Sequence, residues 1–274
     1  MLNDVCFAFI GSGVMAEAMI KGLTTKAGVL PDRIAASGPR PERGEELRSR
    51  YGIRPATDNV AAIDGAQIVV LSVKPQVLHG VMEQLAGQIA PEALVLSIVA
   101  GARIEAIATT LRHAAVARSM PNTPAQIGLG MTVWTCNPAL SESQRGQAQA
   151  VFGSFGEEVF VADERYLDMA TALSGTGPAY VFIFMEAMVD AGVHMGFSRR
   201  VAEQLVYQTV RGSVEYAQQA GRHLATLRNQ VTSPGGTSAE ALYHIEKGGL
   251  RTVMSRAIWA AYQKSRRLGK GVEE

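Results

Sequence analysis

The amino-acid sequence predicts an α/β fold in two successive parts, a doubly wound parallel sheet followed by an all-helical domain. Three observations lead there. Strand-like apolar runs alternate with helical patterns up to about Asp163, at the rhythm of a parallel sheet. Beyond that point the pattern is helical throughout and punctuated by glycines. The chain also opens with strand, glycine turn and helix in immediate succession. The expected domains are residues 1–163 and 164–274.

Val5 to Ile10 reads as the first strand, followed by Gly11, Gly13 and Ala16 and then by the helical stripe Met15, Met19, Ile20 and Leu23. This is the order that the Gly-x-Gly-x-x-Gly/Ala fingerprint of a Rossmann-like dinucleotide cradle requires. Gly11 permits the turn, Gly13 lets the backbone approach a pyrophosphate, and the small Ala16 lets the helix sit close to the strand. Further strands are expected at Ile34 to Ala36, Ile68 to Val73, Leu94 to Val99 and Ala115 to Arg118, with helices near Pro41 to Arg50, Val77 to Ile89 and Ile104 to Leu111. Ser141 to Phe155 reads as another helix and Glu158 to Val161 as a last strand. Ligands in such sheets lie at the carboxyl ends of the strands. By position those ends offer Ser37-Gly38, Lys74-Pro75-Gln76, Ala100-Gly101 and Met120-Pro121-Asn122-Thr123.

The end of the second strand chooses between dinucleotides. An NAD site wants a carboxylate there for the ribose hydroxyls, whereas this chain has Ser37, Gly38, Pro39 and Arg40, with Arg43 close behind. NADPH is the expected cofactor and NADH the alternative. The competing reading places Arg40 and Arg43 on a solvated helix face with Glu42, Glu45 and Glu46.

In the second half, helices are expected over Glu164 to Leu173, Pro178 to Met195, Ser198 to Ala220, Ser238 to Glu246 and Arg251 to Leu268, with a disordered tail after Gly269. Ala179 to Met195 is apolar nearly all round but carries Glu186 and Asp190 and is short for a bilayer span. A helix of this kind faces a second copy in a homodimer or forms the centre of its own bundle. The charges, 26 basic against 25 acidic, give no electrostatic case for nucleic acid or an anionic membrane. Two cysteines, Cys6 and Cys136, make no secreted disulfide framework and no charged leader opens the chain, so a cytoplasmic enzyme of small molecules is expected.

Val231 to Leu242, VTSPGGTSAEAL, sets Gly235 and Gly236 before Thr237, Ser238 and a helix-forming run. Outward backbone N–H groups at such a turn hold an anion, although an ordinary capped helix start has the same letters.

Together FIGSGVMAEAMIKGL, VKPQ at Val73 to Gln76, MPNTPAQIG at Met120 to Gly128, ALSGTGPAY at Ala172 to Tyr180 and VTSPGGTSAEAL resemble the pyrroline-5-carboxylate reductase family, in order from Phe7 to about Arg267. The resemblance implies reduction of a cyclic imino acid to L-proline with NAD(P)H by a chain whose helical half dimerises, often into larger rings of dimers. It also implies that Ile10, Gly11, Ser12, Gly13, Val14 and Met15 hold the pyrophosphate and that Asn59 reaches the nucleotide. Ser72, Val73, Lys74 and Pro75, with Val99, Ala100 and Gly101, would line the nicotinamide side. Ser233, Gly236, Thr237 and Ser238 would receive the substrate. The chain departs from the family pattern with Ser238 in place of Thr, Thr176 in place of Ser, Ser119 in place of Cys and Gln230 in place of Asn. The last leaves a cofactor contact open.

Reducing an imine needs a hydride aimed at carbon and a stabilised nitrogen, without metal, nucleophile or strong base. Ser238 is the expected catalytic hydroxyl, orienting the ring and relaying a proton. The five histidines show no metal-ligand spacing and are expected to be structural. Two rivals remain: a β-hydroxyacid dehydrogenase, whose lysine has no counterpart between Lys74 and Lys247, and a nucleotide sensor that does not turn over.

Overall fold

Short strands that are apolar on both faces need helices on both sides, and the chain supplies them. In the computed structural model, which describes residues 2–269, the strands are β1 (Phe7–Ile10), β2 (Ile34–Ser37), β3 (Arg54–Ala56), β4 (Ile68–Leu71), β5 (Leu94–Ser97), β6 (Val116–Met120), β7 (Gly130–Cys136) and β8 (Gly156–Phe160). They form one sheet in the order β3-β2-β1-β4-β5-β6-β7-β8. Neighbours are parallel except β6 and β7, which pair antiparallel.

The helices of this part are α1 (Val14–Thr25), α2 (Pro41–Tyr51), α3 (Asn59–Ile63), α4 (Pro75–Leu85), α5 (Ile104–Leu111), α6 (Glu142–Gly153) and α7 (Arg165–Ala170). Alternate strand residues choose between two cores. Phe7, Phe9, Ile34, Val70 and Leu96 pack with Met19, Ile20 and Leu23 of α1, Leu47 of α2 and Phe152 of α6. Ala8, Ile10, Val69, Leu71 and Val95 pack with Ile63 of α3, Leu78 and Met82 of α4 and Ile107 of α5. Each fully buried large aliphatic side chain contributes about 1.5–3 kcal/mol, which fixes the strand register.

The remaining helices are α8 (Gly177–His194), α9 (Arg199–Ala220), α10 (Leu224–Gln230), α11 (Thr237–Lys247) and α12 (Leu250–Leu268). The chain divides into two compact units, one running to Thr176 and resuming at Ala261, the other Gly177–Ala260. Within the second unit α8 and α9 pack closely, since a β-carbon on Gly192 would lie 3.0 Å from the Ala202 methyl. Yet α8 buries only Val189 and Gly192, leaving Phe182 62% and Ile183 67% exposed. The single chain therefore does not place α8 at the centre of a bundle.

Several elements differ from the sequence expectation. β3 and α3 are too short to show a period, and Pro55 in β3 is tolerated because that strand is a sheet edge. β7 follows β6 with only a short 3₁₀ turn, Thr123–Ile127, between them, against the βα rhythm. α4 runs from Pro75 to Leu85 rather than from Val77 to Ile89, because Pro75 suits the first helical turn. After α7 the helix widens into a π turn over Thr171–Gly175, and α10 is a further short helix. The tail beyond Gly269 lies outside the described residues.

Candidate active site

The carboxyl ends of the central strands fall in one row. Ile10 pairs in register with Ser37 on one side and Leu71 on the other, and Leu71 pairs with Ser97. The loops that follow these residues share one edge of the sheet. Between β1 and β4 the chain order reverses direction, which is where a doubly wound sheet opens its ligand crevice.

Gly11 is needed there for two reasons. Its φ is +107°, and a β-carbon would lie 2.7 Å from the Ser72 carbonyl carbon and oxygen. Any side chain would push β1 and β4 apart. Gly13 differs, since a β-carbon there would meet no protein atom within 4 Å. It is the N-cap of α1 and makes no side-chain cap, so the first-turn N–H groups, including those of Val14 and Met15, are left to face a ligand. Ala16 is fully buried against the strand side. The residues present thus fit a pyrophosphate at the N-terminus of α1: bare backbone, open space and the positive end of a helix.

Around this turn the other expected cofactor residues take distinct positions. Ile10 is buried at the end of β1, and Ser12 bridges the two glycines. Ser72 donates its hydroxyl to the carbonyls of Gly11 at 2.8 Å and Ile10 at 3.1 Å, so that side chain ties the turn to β4. Val73 is half-buried, and exposed Lys74 and Pro75 begin α4. Val99, Ala100 and Gly101 follow β5, with Gly101 at φ +77° and its α-carbon close enough to α12 that a β-carbon would lie 3.2 Å from Leu268.

At the end of β2, Ser37 is fully buried and donates to Asn59 Oδ1 at 2.7 Å. Arg40 is the exposed N-cap of α2, and among the described residues its guanidinium has neither hydrogen bond nor ion pair. No carboxylate stands at this strand end. Arg43 is a correction to the expectation that both arginines meet a 2′-phosphate. Its Nε donates to the Ser12 carbonyl at 3.0 Å, and its other nitrogens pair with Glu17 and, at 2.7 Å, with Glu46. Arg50 and Tyr51 also donate to Glu17, at 2.8 and 2.9 Å. Burial pushes the Glu17 carboxyl up, but the hydrogen bonds from Arg43, Tyr51 and Arg50 outweigh it and hold the group below its usual range.

The expected substrate residues cluster in the second unit, in the turn between α10 and α11. Gly236 N–H donates to the Ser233 carbonyl at 3.0 Å and Gly235 takes φ +68°, which closes a tight turn. Gly236 caps α11 without a side-chain cap, so the backbone N–H groups of Thr237 and Ser238 have no intrahelical acceptor. Thr237 is exposed and Ser238 half-buried. Gln230 ends α10.

Sequence reasoning missed two groups beside the cofactor edge. One is the Glu17–Arg43–Tyr51 cluster, of which the sequence singled out only Arg43, and for a different partner. The other is Arg118, buried on β6, which pairs with Glu164 at 2.9 Å and Asp168 at 3.7 Å. Glu164 also accepts from the Ile104 N–H at the start of α5, and Ser265 of α12 donates to Asp168 at 2.8 Å. The sole sequence signal was a charged residue inside the short strand VARSM. Of the histidines, His113 is buried on the Ala93 carbonyl at 2.8 Å and His223 caps α10, while His79 and His244 lie beside Glu83 and Glu240 on their own helices.

Comparison with known proteins adds kinship to this geometry. A family profile described as pyrroline-5-carboxylate reductase dimerisation matches residues 164–268, and one described as NADP oxidoreductase coenzyme F420-dependent matches residues 6–101. The pyrroline-5-carboxylate reductase of a Synechocystis strain is 40% identical over 97% of this chain and 99% of its own. The structure of a pyrroline-5-carboxylate reductase from Coxiella burnetii is 32% identical with a TM-score of 0.88, covering 97% of this chain and 99% of that one. The Plasmodium falciparum pyrroline carboxylate reductase, solved with NADP bound, is 28% identical with a TM-score of 0.89 and the same coverage. An identity of this level over the full length of both chains places the protein in the pyrroline-5-carboxylate reductase family.

Proposed function

We propose that this chain reduces 1-pyrroline-5-carboxylate to L-proline with NADPH, binding the dinucleotide at the Gly11–Gly13 turn and the imino acid at the Ser233–Ser238 turn. The observation that carries this reading is the full-length identity to pyrroline-5-carboxylate reductases, in a chain that keeps both uncapped helix N-termini. Domain limits of 1–163 for the nucleotide part and 164–274 for the helical part belong to the same proposal.

When bound, the dinucleotide supplies a hydride to the imine carbon. The chain's own residues do the rest. The N–H groups of Gly13, Val14 and Met15 receive the pyrophosphate, and Arg40 receives the 2′-phosphate as an exposed cation with no other partner among the described residues. Asn59, Ser72 to Pro75 and Val99 to Gly101 shape the nucleotide and nicotinamide sides. The N–H groups of Thr237 and Ser238 donate to the substrate carboxylate, each such bond contributing about 1.5–3 kcal/mol before ordering costs. The Ser238 hydroxyl then orients the ring nitrogen, which arrives protonated and leaves as a secondary amine.

A homodimer is part of the proposal, and rings of dimers are its extension. The run Arg165–His194 is long and apolar enough to cross a membrane by length and composition alone. Its exposed Phe182 and Ile183 lie within the segment matched by the dimerisation profile, which supports burial against a second copy instead. The two free cysteines, Cys6 and Cys136, support a cytoplasmic enzyme, and the near-neutral charge gives no electrostatic case for nucleic-acid or membrane partners. Following NADPH absorbance as it falls with pyrroline-5-carboxylate or its six-membered homologue, and as it rises from NADP+ with a β-hydroxyacid, tests the function. Turnover of the five-membered imine is expected, and turnover of the hydroxyacid alone would reject it.

A further inference from the structure

Arg43 sits under the pyrophosphate turn rather than on its ligand side. Its side chain is 13% exposed, and its three nitrogens are spent on the Ser12 carbonyl, Glu17 of α1 and Glu46 of α2. Glu17 is itself gripped by Arg50 and Tyr51 from the far end of α2. A planar guanidinium presents its donors in a fixed fork, so pinning two of them on carboxylates sets the direction of the third.

That third donor holds a peptide whose other face matters. The Ser12–Gly13 peptide is trans, and in a trans planar peptide the C=O and the following N–H point in opposite directions. Drawing the Ser12 oxygen toward α2 therefore turns the Gly13 N–H away from α2. Gly13 has no β-carbon to restrict that peptide, and nothing in the protein fills the space beside it. Without the hold on Ser12, this peptide is the one in the turn with most freedom to rotate.

The geometry points to Arg43 as a positioning residue for the cofactor, one that presets the Gly13 N–H toward the pyrophosphate without touching the dinucleotide. Glu17 and Glu46 act through it by fixing its fork. The inference rests on reading the Gly11–Gly13 turn as the pyrophosphate site. Pyrophosphate is common to both dinucleotides, so the effect is independent of the 2′-phosphate, in contrast to that of Arg40.

Calorimetric titration of NADP+ and NAD+ in the absence of substrate tests this, alongside steady-state rates. Arg43→Met keeps the apolar stem and removes the donors. It is expected to raise both dissociation constants by the same factor, about tenfold for one charge-assisted hydrogen bond. The NADPH KM should follow while kcat and the pyrroline-5-carboxylate KM stay within about twofold, whereas a merely destabilised protein loses kcat at constant KM. Arg43→Lys preserves the charge between Glu17 and Glu46, and with it the fold, but lacks the fork. About threefold weakening of both dinucleotides is expected for it. Unchanged affinities in both variants, or weakening confined to NADP+, overturn the assignment. Gly13→Val separates the underlying reading: if it binds both dinucleotides like the parent, the turn is not the pyrophosphate site.

Discussion

Ser37 donates its hydroxyl to Asn59 across 2.7 Å, joining the last residue of β2 to the first of α3, and Asn59 passes the chain on to Gln84 of α4 at 3.0 Å. With Ser37 buried and Arg43 engaged beneath the turn, Arg40 is the cation proposed to meet a 2′-phosphate. Arg40→Ala should raise the NADPH KM by about tenfold or more and move the NADH KM by less than about twofold. Initial rates with both cofactors check this, and an equal change in both would remove Arg40 from phosphate recognition.

Ser238 offers one hydroxyl near the start of α11, and in the proposed mechanism its loss is the loss of one hydrogen bond in the transition state. Ser238→Ala is expected to lower kcat/KM by about 10–100-fold and to leave the NADP+ dissociation constant unaltered. Full turnover in that variant would take Ser238 out of the chemistry.

Arg118 joins β6 to Glu164 and Asp168, and Ser265 brings α12 to the same cluster. Replacing it by Met strands two carboxylates at a site where the arginine side chain is 4% exposed. The expected cost is about 3 kcal/mol, or roughly 6–12 °C in Tm for a chain of this length at fixed protein concentration. A shift below about 2 °C would mean that water solvates the pair better than the packing implies.

Glu17 makes the brace sensitive to acid. Because the folded state holds its carboxyl below the ordinary range, its stabilisation is fully present above the unfolded pKa and is lost as pH falls through the lower folded value. The Tm gap between the parent protein and Glu17→Gln should be constant above about pH 5.5 and shrink below about pH 4. Thermal melts across that range decide the point, and a gap that widens toward acid contradicts the sign.

Legibility followed contact range. Gly11, Gly13 and Ala16 are neighbours in sequence, as are Gly235, Gly236 and Ser238, so local letters sufficed for both turns. The central strands were readable because Ile68 to Leu71 and Leu94 to Ser97 are apolar on both faces. Arg43, by contrast, read either as a second phosphate contact beside Arg40 or as a surface arginine among Glu42, Glu45 and Glu46. Only the packing of α2 on α1 sets it 31 residues away against the Ser12 carbonyl. Ser265 and Asp168, 97 positions apart, left no local trace at all. β7 was hidden for a different reason, since it runs antiparallel to β6 in a sheet whose other neighbouring strands are parallel.

The proposed reaction passes a hydride from NADPH to the imine carbon of pyrroline-5-carboxylate. NADPH deuterated at the transferable C4 position, incubated with pyrroline-5-carboxylate and the enzyme, tests it by mass spectrometry of the product. Proline carrying one deuterium at C5 is the predicted result. Unlabelled proline, or NADPH consumed without proline, would contradict it.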